Sequence, residues 1–150
     1  METVLISACL VGDKARYDGK GKYNPLVKEI MAKYDLLPVC PEVLGGLKTP
    51  RMPSEISKDR VVNKLGKDLT KFFNEGASKA FRACDYMHCK KAILQDNSPS
   101  CGVHKIHDGS FNDKLIDGSG ITTLKLKEKG IECYTIEEFY NLFIKNEEQE

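Results

Sequence analysis

Three of the six cysteines stand just beyond short apolar runs, each near the head of a loop rich in Gly, Pro and polar residues. Cys9 follows Val4-Leu5-Ile6-Ser7-Ala8, Cys40 follows Leu36-Leu37-Pro38-Val39, and Cys101 comes a few residues after Ala92-Ile93-Leu94-Gln95. If these runs are parallel strands of one sheet, the three thiols converge on the crevice beyond the strands' carboxyl ends, where open α/β sheets bind ligands. Soft thiolates suit zinc or an iron-sulfur cluster, and the spacing does not choose between them. A 4Fe-4S cluster held wholly by protein takes four cysteines, so three leave one iron free for another ligand. Catalytic metals keep such an open place for water or substrate.

The remaining thiols read as packing. Cys84 and Cys89 fall at a helix end and the turn after it, and Cys133 falls inside an expected strand. Free Cys in such places is ordinarily a small core side chain. A zinc site from Cys84, His88 and Cys89 would lack a fourth ligand and the usual paired spacing.

The elements that must position the first three cysteines alternate along the chain. After the first strand, Gly12 to Gly21 is a polar loop, and Asn24-Pro25 opens a helix with an N-cap residue and Pro at the first helical position. That helix carries Leu26, Ile30 and Met31 and ends near Tyr34. Pro41 to Ile56, with Gly45-Gly46, Pro50 and Pro53, is expected to be irregular. Arg60-Val61-Val62 and Gly66 suggest a small hairpin. Leu69, Phe72, Phe73, Ala77, Ala80 and Phe81 then recur at helical spacing. A third strand is expected at Lys91 to Gln95, followed by a long loop from Asp96 to Asp117 containing His104 and His107, both read first as surface residues, with contact to substrate or help in proton transfer as the lesser alternative. Loops of that length are commonly functional. Gly120 to Lys129 reads as a helix stopped by Gly130, and Ile131 to Tyr134 as a fourth strand. Thr135-Ile136-Glu137-Glu138 is a capping box opening the last helix, and Asn146 to Glu150 reads as a frayed polar tail. The pattern predicts one α/β domain over residues 1–150, Rossmann-like, with a mainly parallel sheet of about four strands and helices on both faces.

Composition narrows the function classes. The 150 residues carry a net charge of +1, with 41% hydrophobic and 30% charged residues, which describes a globular protein and gives no support to stable nucleic-acid binding. No run approaches a membrane span, and the start lacks a secretory pattern. A cytoplasmic protein is expected. In a reducing cytosol cysteines serve as metal ligands or reactive thiols more often than as disulfides.

Several segments together resemble the thiouracil desulfidase family, formerly a domain of unknown function. They are Ser7-Ala8-Cys9-Leu10-Val11-Gly12, Arg16-Tyr17-Asp18-Gly19, Pro38-Val39-Cys40-Pro41-Glu42-Val43-Leu44-Gly45-Gly46-Leu47, Thr49-Pro50-Arg51-Met52-Pro53-Ser54-Glu55 and Ser98-Pro99-Ser100-Cys101-Gly102, in the family's order through nearly the whole chain. The resemblance implies an α/β fold, an oxygen-sensitive 4Fe-4S cluster on Cys9, Cys40 and Cys101, and removal of sulfur from a thiolated pyrimidine. It implies catalytic roles for Glu42 and for a serine, Ser98 first and Ser100 as second candidate. Family members range in substrate from free thiouracils to thiolated nucleotides and, in longer proteins with an added domain, tRNA. No such domain is expected here, which points toward a small molecule.

The residues themselves carry a compatible chemistry. A soft thiocarbonyl sulfur suits an open iron, and coordination draws electron density from the ring carbon that water attacks. Glu42, two residues beyond a ligand, is placed to take that water's proton if burial lifts its pKa. Lys14, Arg16, Lys22 and Arg51 are candidate partners for a substrate phosphate, Arg51 foremost and Arg16 after it. Gly45-Gly46 either lets backbone approach a ligand or merely turns the chain. Two other classes compete. One is a thiol-based phosphatase or reductase with Cys9 as nucleophile and Arg16 closing a phosphate loop, although six residues rather than the usual five separate them. The other is a non-catalytic zinc or iron-sulfur binding module.

Overall fold

The computed structural model describes residues 1–145, and the tail expected at Asn146–Glu150 lies outside the described residues. Four parallel strands form the central sheet: β1 (Thr3–Ser7), β2 (Asp35–Val39), and the strands Lys91–Ile93 and Glu132–Tyr134. Between β2 and the third sheet strand lie α2 (Pro41–Leu44), a hairpin of β3 (Ser54–Ser57) and β4 (Arg60–Asn63), and α3 (Thr70–Tyr86). The third sheet strand is therefore β5 (Lys91–Ile93). After it come a second hairpin, β6 (Lys105–His107) with β7 (Leu115–Asp117), then α4 (Ile121–Glu128), β8 (Glu132–Tyr134) and α5 (Ile136–Tyr140). Helix α1 (Leu26–Met31) joins β1 to β2.

The sheet order β2-β1-β5-β8 means that the chain leaves β1 in one direction and returns on its other side. The topological switch point thus falls between β1 and β5, where doubly wound sheets open a binding crevice. Alternation along the strands divides the core in two. Val4, Ile6 and Ile93 pack with Val27 and Ile30 of α1 and with Ile136 and Phe139 of α5. Leu5 and Ala92 pack on the other face with Ala80 and Cys84 of α3 and Leu126 of α4. Each fully buried Leu, Ile or Phe contributes roughly 1.5–3 kcal/mol through loss of its apolar surface from water, so helices cover both faces.

Local chemistry sets the helix starts. The Asn24 side chain accepts from the Leu26 N–H at 3.0 Å, Asp68 accepts from the Thr70 N–H at 2.9 Å, and Thr135 and Glu138 cap each other's backbone as expected. Three expectations need correction. Pro41–Leu44 is a short helix: Pro41 is preset for a first helical position, and Cys40 precedes it in extended conformation. The turn expected from Arg60-Val61-Val62 and Gly66 is present, with Val62 bridged to Asp68 and Gly66 at positive φ, but Ser54–Ser57, at the end of the segment expected to be irregular, adds a strand that pairs with Arg60–Asn63 through a turn at Lys58. The long loop from Asp96 to Asp117 contains the β6–β7 hairpin, with Ile106 opposite Ile116.

One close approach locks α2 in place. A Cβ on Gly45 would lie 2.0 Å from the Phe72 carbonyl oxygen, and one on Gly76 would lie 2.0 Å from the Pro41 carbonyl oxygen. The two glycines therefore let α2 and α3 touch backbone to backbone. Gly45 serves helix packing, while Gly46, at φ +103°, turns the chain.

Candidate active site

Cys9, Cys40 and Cys101 all line one cavity of about 430 Å³ beyond the carboxyl ends of β1, β2 and β5. Cys9 lies in a 3-10 turn at Ala8–Val11, anchored where its carbonyl accepts from Gly12 and Lys22 N–H groups at 3.1 and 2.8 Å. Cys40 directly precedes α2, and its thiol reaches the Ala15 carbonyl at 3.6 Å. Cys101 sits in a turn after β5 and is buried. Burial and the neighbouring Cys40 sulfur push the Cys9 thiol up to about 11, although Arg16 and Lys22 pull the other way. Burial also raises Cys40, opposed by backbone N–H groups of Val43 and Glu42. Cys101 is raised most strongly, again by burial, and the side chain of Ser7 acts against that shift. Desolvation keeps these three groups as neutral thiols; as thiolates they would repel one another and call for positive charge in the cavity.

Glu42 is in the first turn of α2, one side of the same cavity. Its side chain is 15% exposed, and Arg51 Nε donates to Oε1 at 3.2 Å. Burial lifts the Glu42 carboxyl above the usual range, while the Arg51 charge and hydrogen bonds from Arg51 and Ser98 hold it down. Arg51 spends its other donors on protein: Nη1 on the Lys48 carbonyl and Thr49 Oγ1, and Nη2 on the Ala15 carbonyl at 3.0 Å. It orients Glu42 and ties the loop behind Cys9 to α2. Arg16 lines the cavity, pairs with Asp18 at 3.6 Å and lies over the Tyr17 ring. Lys22 lines it too.

The two serines part company. Ser98 Oγ accepts from the N–H groups of Ser100 and Cys101, both at 3.1 Å, which leaves its own proton for Glu42. It links the carboxylate to the Cys101 turn. Ser100 is buried and its hydroxyl pairs with Thr122 of α4 at 2.8 Å, outside the cavity lining. Contributors that the sequence reading did not single out are Ser7 and Asp96. Ser7 Oγ accepts from Gln95 N–H at 2.9 Å and meets Cys101. The Asp96 carboxylate accepts from the N–H groups of Asn97, Val103, His104 and Lys105, pinning the segment that carries Cys101. An Asp at a strand end followed by Asn-Ser-Pro is the signal that points to such a turn. His104 pairs with Glu138 on the surface at 2.9 Å, whereas His107 lines the cavity.

The donor set discriminates between metals. Among the described residues no three His, Cys, Asp or Glu side chains are grouped to hold a single ion. Sulfurs on one tetrahedral zinc stand about 4 Å apart, given a Zn–S bond near 2.3 Å. A 4Fe-4S cluster joins each cysteine to a different iron, so its sulfurs stand farther apart around a common volume. One buried thiol, Cys101, and two half-buried ones, Cys9 and Cys40, around one cavity fit the cluster. The phosphatase reading uses only Cys9 and leaves Cys40 and Cys101 on the same cavity without a role, and burial raises the Cys9 thiol where such a nucleophile needs it lowered.

A family model described as 2-thiouracil desulfurase matches residues 4–138. The chain belongs to the 2-thiouracil desulfurase family. The desulfurase fold is shared with a solved structure, the 4Fe-4S-dependent thiouracil desulfidase TudS, at 37% identity over 95% of both chains and a TM-score of 0.89. A second relative, the uncharacterized protein YbbK of Bacillus subtilis strain 168, is 35% identical over 137 residues, covering 85% of this chain and 91% of its own. The expected α/β architecture and family stand confirmed. No helix among the described residues is long and apolar enough to cross a membrane.

Proposed function

We propose that residues 1–150 work as one desulfidase domain that holds a 4Fe-4S cluster on Cys9, Cys40 and Cys101 and removes sulfur from a thiolated pyrimidine, a thiouracil or a thiouridine nucleotide. The observation that carries this reading is the convergence of three thiols from three sheet strands on the cavity that Glu42 and Ser98 also line. When bound, the cluster supplies a soft, Lewis-acidic iron suited to a thiocarbonyl sulfur. The overall change is hydrolytic: thiocarbonyl and water become carbonyl and hydrogen sulfide, with no net electron transfer.

Glu42 is the proton acceptor for the attacking water. Arg51 orients it, and burial keeps it basic enough to matter. Ser98, whose hydroxyl spans Glu42 and the Cys101 turn, positions the carboxylate and offers a path for its proton back toward the departing sulfur. Arg16 and Lys22, as cavity-lining cations, contact the anionic part of a nucleotide substrate; Arg51 supports them from within the wall. Six free cysteines suit a reducing cytoplasm, and a small-molecule partner suits the enclosed site better than nucleic acid or a membrane surface.

The test is anaerobic reconstitution with iron and sulfide, followed by a screen of thiopyrimidines for sulfide release. Protein with full iron content that releases no sulfide from free or nucleotide thiopyrimidines would overturn the assignment.

A further inference from the structure

Among the described residues, one buried side-chain nitrogen or oxygen lacks a hydrogen-bond partner: Nδ1 of His107. Native proteins pair the large majority of such atoms, so the exception asks for a cause. His107 ends β6, faces Leu115 of β7 in register, and forms part of the cavity wall together with Phe111, Asp113 and Glu55. Its position is built. The buried Glu55 carboxylate accepts from the Gly109 and Phe111 N–H groups at 3.0 and 3.1 Å, tying β3 to the turn after His107. Asp96 holds the backbone just before it, through Val103, His104 and Lys105.

The ring's two nitrogens differ. Nδ1 is enclosed with neither a donor nor an acceptor beside it. A proton there would make a buried N–H without an acceptor, a rarer defect than an acceptor left unmet. With Nδ1 left as the unprotonated nitrogen, a neutral ring carries its proton on Nε2, as a donor. A donor held on a fixed hairpin in the wall of a substrate cavity is a recognition element.

We propose that His107 contacts substrate, its Nε2–H donating to the ring carbonyl oxygen that a thiouracil keeps beside its thiocarbonyl. The inference rests on the desulfidase reading above. It makes His107 a specificity residue: it fixes which edge of the pyrimidine turns toward the three cysteines, and it favours thiopyrimidines that retain a carbonyl over those that do not.

Cluster-loaded parent, His107→Phe and His107→Gln are compared on 2-thiouracil and on pyrimidine-2-thione, which has the thiocarbonyl but no carbonyl. His107→Phe should raise KM for 2-thiouracil about tenfold, the factor that 1.4 kcal/mol represents. Its kcat should stay within about threefold of the parent, and its KM for pyrimidine-2-thione should be little changed. His107→Gln, which restores an N–H near the Nε2 position, should recover most of the loss. In holoenzyme labelled with 15N-histidine, added uracil should shift Nε2 of His107 and leave His88 and His104 in place. Equal KM changes on both substrates, parental KM in His107→Phe, or an unmoved His107 resonance would each overturn the proposal. If the parent turns over no thiopyrimidine at all, the desulfidase reading fails, and the uracil titration alone then decides whether His107 recognises a carbonyl.

Discussion

Cys84, Cys89 and Cys133 make a second group of neighbouring thiols, packed on the α3–α4 face of the sheet among Leu5, Ala80, Ala92 and Leu126. Burial lifts Cys84 to about 12, helped by the adjacent Cys89, and lifts Cys133 to about 11. Cys9, in the candidate site, is lifted to about 11 for the same first reason. Thiol basicity therefore does not distinguish the two groups. What does is the company each keeps. None of the second group lines the cavity, and their sulfurs sit mainly against hydrocarbon. The first group opens on a cavity shared with Arg16, Glu42 and Arg51, each thiol delivered by a different strand end. Burial among hydrocarbon suits a cysteine to core packing, whereas a place beside charged, hydrogen-bonded groups in a cavity wall suits it to the proposed ligand role.

The largest effect should come from swapping the groups' fates. Cys9→Ala, Cys40→Ala or Cys101→Ala should each abolish or greatly reduce the brown chromophore and bound iron after anaerobic reconstitution. Cys84→Ala, Cys89→Ala and Cys133→Ala should keep both. Full iron occupancy in Cys40→Ala would erase the distinction between the groups.

Next in size is the wall chemistry that only the first group has. Glu42→Gln should hold iron at the parental level while sulfide release falls by roughly a hundredfold, the lower end of general acid-base assistance. Ser98→Ala should follow with about a tenfold loss, since the hydrogen bond to Glu42 and the acceptor for the Ser100 and Cys101 N–H groups go together. Ser100→Ala should leave turnover near parental and act on stability instead, because it strands the Thr122 hydroxyl in the core. Equal losses from the two serines would remove the structural reason for preferring Ser98.

A smaller effect concerns the scaffold that holds Cys101. Although burial pushes the Asp96 carboxyl up, its four backbone N–H donors outweigh that and hold it below the ordinary aspartate range. Its stabilisation is thus present above the unfolded pKa of about 3.9 and is lost as pH falls through the lower folded value. Asp96→Asn should cost about 1 kcal/mol at neutral pH after solvent screening, with the difference from parent shrinking below about pH 4 in denaturant titrations. A constant difference across that range would mean that the charge contributes nothing. Least of all, Cys84→Ala should lower stability by about 1 kcal/mol through a small cavity, with sulfide release unchanged.

Much of this molecule was legible from residue order because its signals are local. Alternating apolar runs such as Val4-Leu5-Ile6 have one sensible home in a two-faced core, and the Thr135 capping box needs only its own first turn. Cys9, Cys40 and Cys101 converge because parallel strands place their carboxyl ends together. The short elements escaped because their causes are distant. Helix α2 depends on Gly45 meeting the backbone of Phe72, twenty-seven positions away, and β6 depends on a partner strand across a turn that Glu55 holds.

Sequence by itself determined the fold class, the family and the three thiols that meet, since each follows from a residue type and its place at a strand end. Tertiary structure decided which serine and which histidine line the cavity. Ser98 and Ser100 share one turn, and His104 and His107 share one hairpin, so nothing local separates them. Thr122 claims Ser100 and Glu138 claims His104, both from elements that arrive later in the chain. Ser98 and His107 are left facing the cavity, because a hydrogen-bonding group is free to serve a substrate only where no distant part of the fold has already satisfied it.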